Sequence, residues 1–280
     1  MNFFNNFHPA VIVLYFMAVL AISIIIFDPV LTGIFLVSQM LLYLLLKGGA
    51  DGYQFIGKCL CLILVCGGIN GLVNHRGISV LFYLGGLPVT GECLFYGCMT
   101  GALLAASLLL FGCYNHIMTS EKIMSLFGNR LPHFSLVFSM ALRLIPKVKR
   151  DYERIRETRS RQTGILTALV GLSLEDSLET GVVMGYRGYG KYPEVKRTSI
   201  YSRKMRGRDW GLMAVIVMTA MTGIVLYVLS GTDVLYFPYV DYKMDFRGIA
   251  AYLCFGVLFL LPVLINITEE LRWKAIVSKI

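Results

Sequence analysis

Three groups of residues in this chain of 280 have the type and spacing to do chemistry. Glu175, Asp176 and Glu179 gather three carboxylates within five positions, a set that in a membrane-embedded transferase would hold a divalent cation against a lipid phosphate. They lack a second acidic motif across the chain. Behind Ser173 they read more simply as a helix start, a hydroxyl cap followed by acids that favour the helix dipole. The second group, Gly185-Tyr186-Arg187-Gly188-Tyr189-Gly190-Lys191, has the Gly-x-x-x-x-Gly-Lys spacing of a phosphate-binding loop. Tyr192 stands where Ser or Thr would hold magnesium, however, and a helical pattern rather than a strand precedes the loop. Nucleotide binding is therefore rejected, and any ATP must be hydrolysed by a partner. The third group is arginine: Arg159, Arg161 and Arg187, each near the end of a helical pattern. From the residues alone a cation in such a place pairs with the last helix carbonyls or with a lipid phosphate.

Metal chemistry has weaker support. His8, His75, His116 and His133 are scattered, and Cys113 with His116 is a pair without further ligands nearby, which fits an interface better than a metal site. The seven cysteines sit inside or at the rims of apolar runs, where a thiol acts as small apolar packing.

The elements that must position these residues follow from composition. With 56% hydrophobic and 15% charged residues and a mean hydropathy of +0.68, the chain has too few polar residues to clothe a soluble core. It reads as a membrane protein, and the disordered and collagen-like classes are excluded. A span needs about 20 apolar residues at 1.5 Å each. Windows of that kind fall near 10–27, 29–46, 55–73, 92–114, 211–230 and 248–267. Residues 115–210 carry 18 Lys and Arg against 9 Asp and Glu, whereas the remainder is balanced at 8 against 8. Retention of basic residues on the inner side places that segment in the cytoplasm, and four spans before it and two after return both termini there. The Asp28-Pro29 turn and residues 74–91 and 231–247 are then external, the last with Tyr236, Phe237, Tyr239 and Tyr242 suited to an interface. Met1 to His8 lacks a basic n-region, so the first window is expected to be a retained span. The expected fold is an all-α membrane protein of about six transmembrane helices with a cytoplasmic helix pair. Its parts are an N-terminal bundle at 1–114, a basic region at 115–210 and a C-terminal hairpin at 211–280.

Within the basic region, residues 134–162 contain no Gly and only Pro146 as a breaker, which predicts a long helix bent at the proline. Its first half is apolar; its second holds Lys147, Lys149, Arg150, Arg154, Arg156, Arg159 and Arg161. Because these bases continue an apolar rod and no recognition module accompanies them, a membrane surface is preferred to nucleic acid. A second helix is predicted from Ser173, with Leu174, Leu178 and Val182 at i, i+4 and i+8, ending in a glycine-rich exit that presents Arg187. In the spans, Gly97 and Gly101 allow close helix approach. Gln39, Asn70 and Asn266 are isolated polar residues, and no intramembrane charge cluster marks a substrate path.

The start at His8-Pro9, the proline helix reading Leu142-Arg143-Leu144-Ile145-Pro146, and Ser173-Leu174-Glu175 leading to Met184-Gly185-Tyr186-Arg187-Gly188-Tyr189-Gly190 carry a resemblance. Over nearly the whole chain the sequence resembles the transmembrane T component of energy-coupling factor (ECF) transporters, the CbiQ/EcfT family. The resemblance implies a scaffold that is not itself an enzyme and has no cofactor. Such a scaffold sits in the plasma membrane between two ABC-type ATPase subunits, which use the ATP, and a substrate-binding membrane S component. The cargo implied is a vitamin or a transition-metal ion such as cobalt. It also implies two coupling helices, each ending in an Ala-Arg-Gly-like triplet. The second triplet matches Tyr186-Arg187-Gly188, with Tyr in place of Ala; the first matches Ser160-Arg161-Gln162, with Arg159 as the alternative arginine. The rival expectations are a lipid-phosphate transferase built on Glu175, Asp176 and Glu179, and a stand-alone solute carrier.

Overall fold

A computed structural model of the chain describes residues 4, 7–74, 77, 79–84, 87–127, 132–158, 164–189, 205–231, 234–235, 241–242 and 246–277. In chain order the elements are α1 (Pro9–Ile25), α2 (Pro29–Lys47), α3 (Ala50–Val73), β1 (Val80–Leu84), β2 (Leu87–Thr90), α4 (Gly91–Ile117) and α5 (Ser120–Phe127). These are followed by α6 (Pro132–Thr158), α7 (Ile165–Tyr186), α8 (Gly207–Ser230), β3 (Val234–Leu235), β4 (Asp241–Tyr242) and α9 (Phe246–Val277). The protein is an all-α membrane protein: α2, α3, α4, α8 and α9 are each long and apolar enough to cross a bilayer, and α1 is a shorter apolar helix of 17 residues. The strands form two small antiparallel hairpins, Val80 opposite Thr90 in the first and Val234 opposite Tyr242 in the second. Both lie in segments that the sequence leaves between spans, where it predicts no strand.

The chain divides into two compact units, Met1–Thr119 with Lys204–Ile280, and Ser120–Arg203. In the first unit, α1 buries Val11, Ile12, Tyr15, Phe16 and Val19 against Phe35 of α2, Cys113 of α4 and Phe255 and Phe259 of α9. Aromatic edges meet there, Phe4 on Tyr15 and Tyr15 on Phe16 at centroid distances of 5.6 and 5.3 Å. Pro262 lies inside α9 and cannot donate a backbone hydrogen bond, and one residue beyond the carbonyl it leaves free, the Tyr15 hydroxyl donates to the Phe259 carbonyl at 3.0 Å, tying α1 to α9. Close approach of α3 and α4 depends on Gly97 and Gly101. A Cβ on Gly97 would lie 2.6 Å from Asn70 Cβ, and one on Gly101 2.9 Å from Cys66 Cβ.

Two buried acids tie distant parts of this unit together. Asp28, in the turn between α1 and α2, is fully buried. It caps α2 by accepting from the Val30 N–H at 3.0 Å, and its other oxygen accepts from the Tyr252 hydroxyl of α9 at 2.6 Å. Placing an unpaired carboxyl among apolar helices would be costly, and these donors remove the cost. Asp209 in the first turn of α8 accepts from the Arg206 N–H at 2.9 Å and from the His8 N–H at 3.3 Å, while the Arg208 guanidinium sits 4.6 Å from the Phe7 ring centre. The entry to α1 is thereby fixed to the entry of α8. His8 itself caps α1, its Nδ1 accepting from the Ala10 N–H at 3.2 Å ahead of Pro9 at the first helical position.

The second unit holds α5, α6 and α7. Helix α6 runs through Pro146, as the sequence predicts, and the Arg150 Nε donates to the Pro146 carbonyl at 3.2 Å. Between α6 and α7 lies an apolar groove of about 400 Å³ lined by Leu144, Ile145, Val148 and Tyr152 of α6 and Leu169 of α7. Lys147 of α6 forms an ion pair with Asp176 of α7.

Candidate functional site

The start of α7 corrects the sequence reading. Ser173 is not a cap: α7 begins eight residues earlier at Ile165, after Gly164 at φ 96°, and the Ser173 Oγ donates back to the Leu169 carbonyl at 2.8 Å as a mid-helix serine does. The local cap signal loses to packing. Ile165 is buried and Leu169 faces the groove on α6, so extending the helix backward covers apolar surface that a loop would leave exposed.

Glu175, Asp176 and Glu179 consequently occupy the middle of α7. Asp176 is engaged by Lys147, and Glu175 and Glu179 are exposed. Among the described residues, no group of three or more His, Cys, Asp or Glu is gathered closely enough to hold a metal. Cys113 is buried while His116 is exposed, and all seven cysteines are free thiols.

The other end of α7 is built for presentation. Arg187 is the C-cap residue, and Gly188 follows with φ 78°. The Gly188 N–H donates to the Gly185 carbonyl at 3.1 Å and the Tyr189 N–H to the Met184 carbonyl at 3.0 Å. This pair of bonds is the Schellman closure, which turns the chain sharply off the helix axis and needs a left-handed residue at the position of Gly188. The turn leaves Tyr186 85% exposed and Arg187 exposed beside it. Arg187 makes no ion pair among the described residues. Glycine at 185 has a different status, since a Cβ there would meet nothing within 4 Å.

Leading to that tip, Leu166, Val170, Leu174, Leu178, Val182 and Tyr186 recur at every fourth position and are all exposed, Leu178 at 73%. Side chains so spaced form a continuous ridge along a helix, of the kind that seats in the groove of another apolar surface. Positions 174, 178 and 182 follow from the sequence pattern, and 166 and 170 join them because α7 starts at Ile165. Ser160, Arg161 and Gln162 of the first triplet, and the alternative Arg159, lie outside the described residues, as do Gly190, Lys191 and Tyr192 of the loop-like motif. The tie between Lys147 and Asp176 has no signal in the sequence, because nothing in residue spacing pairs positions on separate helices. No family model matches this chain, and no curated protein matches it.

Proposed function

We propose that this chain is the membrane-spanning T component of an ATP-driven importer of the energy-coupling factor type, multi-pass in the plasma membrane with its basic unit in the cytoplasm. In this reading two partner ATPases bind the cytoplasmic unit, with Arg187 as one contact and Arg161 or Arg159 as the other. Their closure passes through α6 and α7 to a separate membrane subunit that captures a vitamin or a transition-metal ion. The chain is mechanical and hydrolyses nothing itself.

The observation that carries the reading is the exit of α7: a Schellman turn that holds an exposed arginine, without an ion pair among the described residues, at the tip of a 22-residue helix. A guanidinium so placed is available to a carboxylate-lined groove on another protein. Further support comes from the apolar ridge of α7, which suits a membrane-facing lever, and from the concentration of positive charge in residues 115–210. The engagement of Asp176 by Lys147 weighs against the transferase, whose cation would need that carboxylate free.

The test is copurification in mild detergent from cells expressing the partner ATPases. Wild type should retain two ATPase subunits, and Arg187→Glu should lose them, since truncating or reversing one side of a desolvated charge pair costs about 2–5 kcal/mol. Retention unchanged by the reversal would overturn the contact. Solute uptake into liposomes by the purified chain alone would overturn the scaffold role and favour a stand-alone carrier.

A further inference from the structure

The first unit contains a cavity of about 520 Å³ where α2 and α4 end and α3 begins, lined by Tyr43, Leu46, Lys47, Phe55, Leu108, Phe111, Gly112, Cys113, Asn115 and His116. Its two sides differ in chemistry. One is polar: Lys47, Asn115 and His116 are exposed at the rim, and none of the three has a side-chain partner among the described residues. The other is apolar, with the Tyr43 and Phe55 rings stacked at 5.0 Å forming a rigid wall. From it an exposed track leads away along α4, with Phe111 52%, Leu108 42% and Leu104 43% exposed at spacings of three and four residues. No carboxylate is among the described lining residues, so the formal charge of the lining is set by Lys47.

We infer that this cavity binds the phosphate-bearing headgroup of an anionic phospholipid, with Lys47 against the phosphate, Asn115 and His116 as hydrogen-bond donors, and an acyl chain along Phe111, Leu108 and Leu104. The volume falls within the range of small-ligand sites, about 300–1,000 Å³. A cation at the last turn of an apolar span lies where headgroups lie, and its methylene stem can follow the apolar wall while the ammonium reaches the phosphate. The carbonyl ends of α2 and α4 at this site repel an anion, so Lys47 is required there rather than auxiliary. Phosphate could also arrive as the free ion. The apolar track favours the lipid, because an ion has no use for it.

The experiment titrates the full-length protein in a neutral detergent with short-chain phosphatidylglycerol, its phosphatidylcholine counterpart and inorganic phosphate, and reads bound ligand by native mass spectrometry. Phosphatidylglycerol should bind at a stoichiometry of one and in preference to the zwitterionic lipid, and millimolar phosphate should fail to displace it. Lys47→Glu should weaken it by about tenfold or more, taking roughly 1 kcal/mol per basic residue near a lipid surface and counting reversal rather than removal. Phe111→Ala should weaken phosphatidylglycerol as well. If Lys47→Glu does not yield monodisperse protein, Lys47→Gln carries the test with a smaller loss. Equal binding of both lipids, no effect of either Lys47 variant, or no effect of Phe111→Ala overturns the proposal. Displacement by phosphate overturns its lipid part and leaves a free-anion site.

Discussion

The hydrogen bond from Tyr252 to Asp28 makes a quantitative test of the membrane unit, because it joins positions 224 residues apart and both partners are buried. Its length of 2.6 Å lies within the range of O–H···O hydrogen bonds, about 2.5–3.0 Å. Asp28→Ala removes the α2 cap, at about 1 kcal/mol. It also removes the Asp28 acceptor from the buried Tyr252 hydroxyl, at about 1–3 kcal/mol, so the two terms together give roughly 2–4 kcal/mol. Tyr252→Phe leaves the cap and removes one bond to a carboxylate, at about 1.5–3 kcal/mol. In the double variant there is no hydroxyl to lose its Asp28 acceptor, so its loss should fall short of the sum of the singles by about 1–3 kcal/mol. Equilibrium unfolding in mixed detergent micelles, followed by the fluorescence of Trp210 and Trp273, measures all four corners of the cycle. An additive cycle, or Asp28→Ala within about 0.5 kcal/mol of wild type, would refute the buried tether.

Three further outcomes are expected. Gly188→Val forces a β-branched residue toward left-handed backbone at a cost of about 1–2 kcal/mol or more, which should reduce ATPase copurification, whereas Gly185→Ala, with open space for its Cβ, should leave it intact. Asp176→Asn breaks a partly exposed ion pair with Lys147 whose side chains are 33% and 44% exposed, so the unfolding free energy should fall by no more than about 1 kcal/mol and ATPase recruitment should persist; loss of recruitment would show that the pair sets the α6–α7 geometry. Gly101→Leu should destabilise the first unit by about 1–3 kcal/mol or prevent its assembly, since even a Cβ would lie 2.9 Å from Cys66 Cβ and 3.0 Å from Ile63 Cα. Gly33→Ala, with nothing within 4 Å, is its control in the same unfolding assay.

The spans were legible in the sequence because their signal is collective: twenty consecutive apolar residues specify a membrane helix whatever lies elsewhere in the chain. The tethers of Asp28 and Asp209 were not, because local spacing marks Asp28-Pro29 only as a turn and gives Asp209 no partner. The second role of each depends on Tyr252 and on the His8 backbone, more than 200 residues away. At the candidate site the two ends of α7 separate these cases. Gly188 follows the last apolar position and closes the helix with bonds no more than five residues long, so its role could be read locally. Ser173-Leu174-Glu175-Asp176 carried an equally local start signal, yet Ile165 and Leu169 have apolar surface to bury, and burial of a Leu-sized side chain is worth about 1.5–3 kcal/mol against about 1 kcal/mol for a cap. A sequence signal at a helix end is decisive only when no apolar run continues beyond it. Beyond Gly188 the chain continues with Tyr189-Gly190-Lys191, and before Ser173 it has Leu169 and Ile165, which turn toward α6 or the interior. That difference in flanking residues, visible in the sequence, is why a local signal sets one end of α7 and tertiary packing sets the other.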